Sequence, residues 1–127
     1  MITNKKLSQY RKEIYQLIQN LKKISFRCAS SEPLIYGVPG EVFRKCGKPG
    51  CKCESYDSRH GPYKVVQIYR NGKQKQIAIG KNQIAIWRRA KLYQQQMKYV
   101  TELKNICEQL ENTVKRLIKE RIEEWPK

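Results

Sequence analysis

The sequence predicts an α+β fold: an N-terminal helix, a zinc-stapled loop with a small antiparallel sheet, and a long C-terminal helix. The two helices are expected to form an antiparallel, coiled-coil-like pair. Three observations lead there. Apolar residues at both ends of the chain recur at steps of three and four. Between them lies a turn-rich cysteine cluster. After it, two alternating runs flank Asn71-Gly72, the strongest short hairpin signal. The 127 residues are expected as a single domain, 1–127, with helix at 1–26, zinc loop and hairpin at 40–81, and helix at 82–125. A chain of this size buries a thin core, so a metal staple is a sensible addition.

Leu7, Tyr10, Ile14, Leu17, Leu21 and Ile24 form an unbroken seam in the first segment, with Lys5, Lys6, Arg11, Lys12, Lys22 and Lys23 off it. Thr3 or Asn4 is the expected N-cap. Residues 27 to 41, RCASSEPLIYGVPGE, hold two prolines and two glycines and read as an extended crossing loop. Val42 to Lys45 reads as a short strand that delivers Cys46.

Cys46, Cys51, Cys53 and His60, the only histidine, form a C-x4-C-x-C-x6-H array. Thiolates and imidazole are ligands that Zn²⁺ prefers, and four of them close a tetrahedral shell. Gly47, Pro49 and Gly50 supply the turn that brings Cys46 back beside Cys51. Gly61-Pro62 is expected to end the loop. Lys45, Lys48, Lys52 and Glu54 flank the thiols, so this is no apolar core of buried cysteines. Five cysteines cannot all pair as disulfides. An iron–sulfur cluster is a weaker alternative, and Cys28 could replace His60 as the fourth ligand. A catalytic zinc would keep one position open and need a further acid or base. Glu54 and Asp57 read instead as solvated loop carboxylates, so no enzyme is expected.

A type I′ turn at Asn71-Gly72 pairs Arg70 with Lys73. Lys64, Val66, Ile68 and Arg70 then share a face with Lys73, Lys75, Ile77 and Ile79. The other face carries Tyr63, Val65, Gln67 and Tyr69 with Gln74, Gln76, Ala78 and Gly80. An ordinary solvated hairpin would show much of this pattern as well. From Asn82 to Glu124 no glycine or proline interrupts a stripe through Trp87, Ala90, Tyr93, Met97, Val100, Leu103, Ile106, Leu110, Val114, Leu117 and Ile118. A first helix of some 22 residues, about 33 Å long, would cover the second to about Asn105. Residues 106–125 would then be left for a homo-oligomer interface.

Lys and Arg number 27 against 11 acids, a net +16, and the excess is uneven. From Ser58 to Thr101 there is no acidic residue, whereas six acids balance six bases from Glu102 onward. A stretch purged of carboxylates points to a polyanionic partner, of which nucleic acid is the commonest. Arg59, Lys64, Arg70, Lys73, Lys75, Lys81, Arg88 and Arg89 are the candidate phosphate contacts. No run approaches the ~20 apolar residues of a membrane span. MITNKKLSQYRKE lacks the apolar run of a signal peptide, so a cytoplasmic protein with reduced thiols is expected.

The string RKCGKPGCKC followed by HGPY resembles a family of small uncharacterised prokaryotic proteins with a CGKxxCxC…HGPYY core. The resemblance runs roughly from Gly40 to Tyr99. It implies a functional unit of Cys46, Cys51, Cys53 and His60, together with Gly61, Pro62 and Tyr63. This chain has Lys64 where a second aromatic is usual. The family carries no established function, and some members lie near transposase or other mobile-element genes. The combined expectation is a non-enzymatic, zinc-stabilised nucleic-acid-binding protein, DNA before RNA. The alternative is a coiled-coil adapter within a larger nucleoprotein.

Overall fold

The structure is a computed structural model and describes residues 4–126. The elements are helix α1 (Asn4–Cys28), strands β1 (Val38–Arg44), β2 (His60–Arg70) and β3 (Lys73–Ala78), and helix α2 (Ile84–Arg121). The expected α+β architecture is therefore present. Thr3 lies outside the described residues, and Asn4 is the first residue of α1. Among the described residues, no helix is long and apolar enough to cross a membrane. The chain forms two compact units, one from Glu32–Gln95 and one from Met1–Ser31 with Gln96–Lys127.

The first unit is built on β2. It is the central strand of an antiparallel sheet in the order β1-β2-β3. Its neighbouring residues Val65 and Val66 are both buried. Successive strand residues face opposite ways, so both faces of β2 are covered at its middle. The hairpin has the expected register, with Arg70 opposite Lys73, Ile68 opposite Lys75 and Val66 opposite Ile77. Asn71 and Gly72 both take positive φ, 53° and 74°, as a type I′ turn requires. The Gln74 side chain donates to Gln67 Oε1 at 2.9 Å on the face where both were expected.

Two boundaries differ from expectation. β1 starts at Val38, inside the segment read as a loop, because its backbone pairs with β2 from Val38–Gln67 onward. Pro39 is tolerated because β1 is an edge strand. Gly61-Pro62 does not end the loop but lies within β2. The first turns of α2 close the unit. Trp87 Nε1 donates to the Gly40 carbonyl at 3.2 Å, and the Ile35 amide donates to the Arg89 carbonyl at 3.4 Å. Tyr36 meets Tyr93 edge-on at 5.3 Å. Lys64 and Lys91 each place an ammonium about one ring-contact away from Trp87, at 5.0 and 4.8 Å from its centroid.

The second unit is an antiparallel helix pair. Lys6 near the start of α1 pairs with Glu120 near the end of α2 at 2.7 Å. At the other end, the Gln96 side chain donates to the Arg27 carbonyl, and the Arg27 guanidinium lies over Tyr99. The predicted α1 seam is half-buried, with Ile24 fully so. This corrects the expected reach of α1. It covers α2 from Gln96 to Glu120, not only to Asn105, because the first turns of α2 are spent on the sheet unit. Leu103, Ile106, Leu110 and Leu117 consequently face α1 and are half-buried. Thr113 joins them as a buried polar residue, its hydroxyl satisfied by the Gln109 carbonyl at 2.8 Å. Met97, Val100 and Ile118 belong to a separate, exposed stripe.

Ile24 is the best-buried side chain of the α1 seam. Ile24→Ala should cost about 2–4 kcal/mol of stability in a denaturant melt, the usual range for emptying a buried aliphatic site. Ile18→Ala, at an exposed position of the same helix, should cost under about 1 kcal/mol.

Candidate metal centre

The cysteine loop runs between β1 and β2 and is ordered by turns instead of by apolar packing. The predicted reversal at Gly47–Gly50 is present, with both glycines at positive φ. Cys51 N–H donates to the Lys48 carbonyl at 3.3 Å, and the Gly50 amide donates to a Glu54 carboxylate oxygen at 3.3 Å. Two short 3-10 turns follow, Lys52–Glu54 and Tyr56–Ser58. They carry the chain to His60, the first residue of β2, which lies opposite Arg44.

The ladder is irregular there, because Val42 faces Tyr63 while Arg44 faces His60, so β2 carries one extra residue. Gly61 sits in that bulge at φ 139°. A Cβ at Gly61 would lie 2.7 Å from the Val42 carbonyl oxygen, so no larger residue fits. The bulge re-aims the start of β2 towards the thiols.

The donor atoms of Cys46, Cys51, Cys53 and His60 all lie within 4.8 Å of one another and could hold a metal ion. Cys46 Sγ and Cys53 Sγ are 3.3 Å apart, and Cys51 Sγ and His60 Nε2 are 3.4 Å apart. Four ligands at the ~2.3 Å of a metal–thiolate bond would be separated by about 3.8 Å in a tetrahedron. The cluster brackets that spacing. Cys28 is not part of it, so the Cys3His set is the one brought together. All five cysteines are free.

Electrostatics divides the thiols. The Cys51 thiol is lowered to about 6 by a hydrogen bond from the Cys53 backbone, reinforced by side-chain hydrogen bonds from Cys53, His60 and Cys46. At Cys53 the Cys46 amide donates to the sulfur at 3.3 Å and favours the thiolate. Burial and the neighbouring Cys46 and Cys51 sulfurs outweigh it, and the Cys53 thiol is raised. A cation among these sulfurs would relieve that crowding, which is the electrostatic case for a metal here.

The basic candidates do not converge on this centre. Arg70 and Lys73 stand at the hairpin tip, and β2 is 11 residues long with His60 at its other end. That separates tip and metal site by roughly 33 Å. The metal cluster and the hairpin tip therefore lie at opposite ends of β2. Arg70, Lys73 and Lys75 are exposed, and none belongs to an ion pair among the described residues. Lys64 is engaged, 3.8 Å from a Glu41 carboxylate oxygen as well as over Trp87. Lys81 lies in the 3-10 turn before α2, and Arg88 and Arg89 are exposed in its first turns. Arg59 is half-buried beside the metal cluster, with its guanidinium 4.7 Å from the Tyr56 ring centroid. Neither Tyr56 nor Phe43 is legible as a site residue in the sequence, since lone aromatics in loops are common.

The fold and site define a small α+β protein with a Cys3His centre on a three-stranded sheet. The chain belongs to the family described as a domain of unknown function (DUF6788), which matches residues 5–89. The match covers α1 and the sheet unit and stops in the first turns of α2, so it begins and ends earlier than the motif resemblance. No curated protein and no solved structure matches the chain.

Cys51→Ser should abolish metal binding and unfold the cysteine loop, whereas Cys28→Ser should leave metal content unchanged by elemental analysis. In metal-free protein the depressed Cys51 thiol contributes stability that is complete above its ordinary value of 9.0 and lost as pH falls through about 6. Alkylation at pH 7 should therefore modify Cys51 faster than Cys107, and the Cys51 rate should fall as pH drops through about 6.

Proposed function

We propose that this protein is a non-enzymatic, zinc-stabilised nucleic-acid-binding protein, with DNA preferred over RNA. The observation that carries this reading is the acid-free stretch from Ser58 to Thr101, whose cations at the hairpin tip are exposed and unpaired. Ten bases in one acid-free stretch of sequence favour a polyanionic partner such as a phosphate backbone. Arg70, Lys73 and Lys75 make the leading contact, with Lys81, Arg88 and Arg89 extending it and Lys64 held in reserve by Glu41. Contacts of this kind position a protein on a backbone without selecting a sequence.

Zinc is the metal proposed for the Cys3His set, because three thiolates and an imidazole are its common structural ligands. Four protein donors would fill its tetrahedral shell and leave no open position for water, which favours a structural role over catalysis. The metal would hold the loop and the start of β2, and so brace the strand that carries the hairpin. Free thiols holding metal suit a reducing, cytoplasmic setting. The motif resemblance implies a place beside mobile elements, where an accessory or regulatory DNA-binding protein has a use. The second reading, an adapter acting through its helix pair, is favoured by the exposed apolar stripe on α2.

Salt dependence separates these readings, since phosphate binding weakens log-linearly with salt. Reversing Arg70, Lys73 and Lys75 together should weaken duplex affinity at least tenfold, about 1.4 kcal/mol, with unchanged circular dichroism. The salt slope should become shallower by about 2–3 units, near 0.9 for each lost phosphate contact. Unchanged affinity in the folded triple variant would remove the hairpin tip from the interface.

A further inference from the structure

Beside the metal cluster lies a cleft of about 480 Å³ lined by Val42, Phe43, Tyr56, Asp57 and Arg59. Its volume is within the ~300–1,000 Å³ of small-ligand sites. Two of its rings are unusually open, with Phe43 57% and Tyr56 79% exposed. Arg59 lies over one face of Tyr56, yet its Nε is buried without a hydrogen-bond partner. Asp57 enters no ion pair among the described residues. Two flat apolar faces, one donor short of an acceptor and one free carboxylate call for a planar ligand with both kinds of hydrogen-bonding edge.

We propose that the cleft takes an unpaired nucleobase from a single-stranded segment, an assignment that rests on the nucleic-acid reading above. Stacking on Phe43 or on the Tyr56–Arg59 pair supplies the affinity, as in single-strand-binding grooves. Arg59 Nε meets a base or phosphate oxygen. The Asp57 carboxylate accepts from adjacent N–H groups, which favours guanine, whose Watson–Crick edge offers two side by side.

Fluorescence anisotropy with the full metal-loaded chain tests this. The probes are DNA and RNA single strands with one central guanine, thymine or uracil, or abasic position, and a duplex control. Guanine should bind tighter than the abasic strand by at least about fivefold, the lower end for one stacked base. Tyr56→Ala should remove that difference and leave duplex affinity unchanged. Equal losses on duplex and single strand, or no loss, would overturn the cleft assignment alone. Wild-type protein that binds none of the probes would overturn the nucleic-acid reading itself.

A different observation, on α2, carries a second inference. Met97, Val100 and Ile118 are 46%, 46% and 49% exposed, and Lys104, Cys107 and Glu111 are exposed between them. With half-buried Val114 they form one ladder at steps of three and four. The ladder follows the α1-facing seam by one position along α2. Tyr15 and Ile18 follow the α1 seam by one position as well, and in an antiparallel pair that places both sets on one side. The opposite side is polar, with Glu13, Gln16, Gln109, Asn112 and Arg116 lining a shallow groove there. The α2 ladder also has matching chemistry on either side of Cys107, at offsets of −3, −7 and −10 against +4, +7 and +11. Ile118 mirrors Met97, Val114 mirrors Val100, and Glu111 mirrors Lys104 with opposite charge.

We infer that the occupant of this face is a second copy of the chain, with α2 antiparallel to its mate across a two-fold axis at Cys107. A two-fold interface must be self-complementary, and this ladder is. Lys104 of each copy meets Glu111 of the other. Glu111 already accepts from Lys115 at 3.0 Å, an exposed i,i+4 pair that leaves its other oxygen free for a second donor. The apolar ends supply the burial, and the two net charges of +16 stay outside the contact.

Light scattering of the full chain, at salt that screens the net charge, should give twice the 15.1 kDa chain mass. Lys104→Glu should weaken the dimer at least tenfold, and Lys104→Glu combined with Glu111→Lys should restore it. A short bis-maleimide should link the dimer through Cys107 and fail with Cys107→Ser. A particle of chain mass at all concentrations would overturn the inference, as would a dimer that ignores the charge swap.

Discussion

The arrangement of this protein depends on a fifteen-residue loop being held in one shape with almost no apolar side chains of its own. Lysines interrupt the cysteines, and only Cys53 is buried. Hydrophobic burial cannot order such a segment, so its conformational entropy must be offset by a few strong, directional bonds. The four donors gathered within 4.8 Å are the means available. Because one of them is the first residue of β2, whatever holds the cluster also fixes where the central strand begins.

From β2 the remaining contacts follow by strand geometry. Val65 and Val66 anchor both faces of the sheet, β1 and β3 take the two edges, and Trp87 reaches Gly40 to seat the first turns of α2. The hairpin tip is then a rigid projection whose cations face solvent at the far end from the metal cluster. The donor cluster and the basic tip thus stand at opposite ends of one strand. The cleft beside the cluster adds a place where aromatic faces and an unsatisfied arginine donor lie together.

The helix pair answers to a different constraint. Two helices alone cannot cover each other completely, and most of the seam between α1 and α2 is only half-buried. The polar residues on one flank tolerate water. The other flank exposes Met97, Val100 and Ile118, apolar surface that a further layer would cover.

Local chemistry made much of this legible in the sequence. The 3/4 seam of α1, the type I′ turn at Asn71-Gly72 with its register, and the Cys3His set each follow from near-neighbour rules. Those rules operate within one element or one turn. The extension of the first strand back to Val38, the bulge at Gly61 and the meeting of Tyr56 with Arg59 depended on contacts beyond one element or turn. The reach of α1 to Glu120 is the clearest case. Helix lengths alone place its end near Asn105, but the sheet unit occupies α2 as far as Gln95 and moves the partner surface along by about four turns. Periodicity marks which residues of a helix are apolar, and only the tertiary structure assigns each apolar stripe to the surface that covers it.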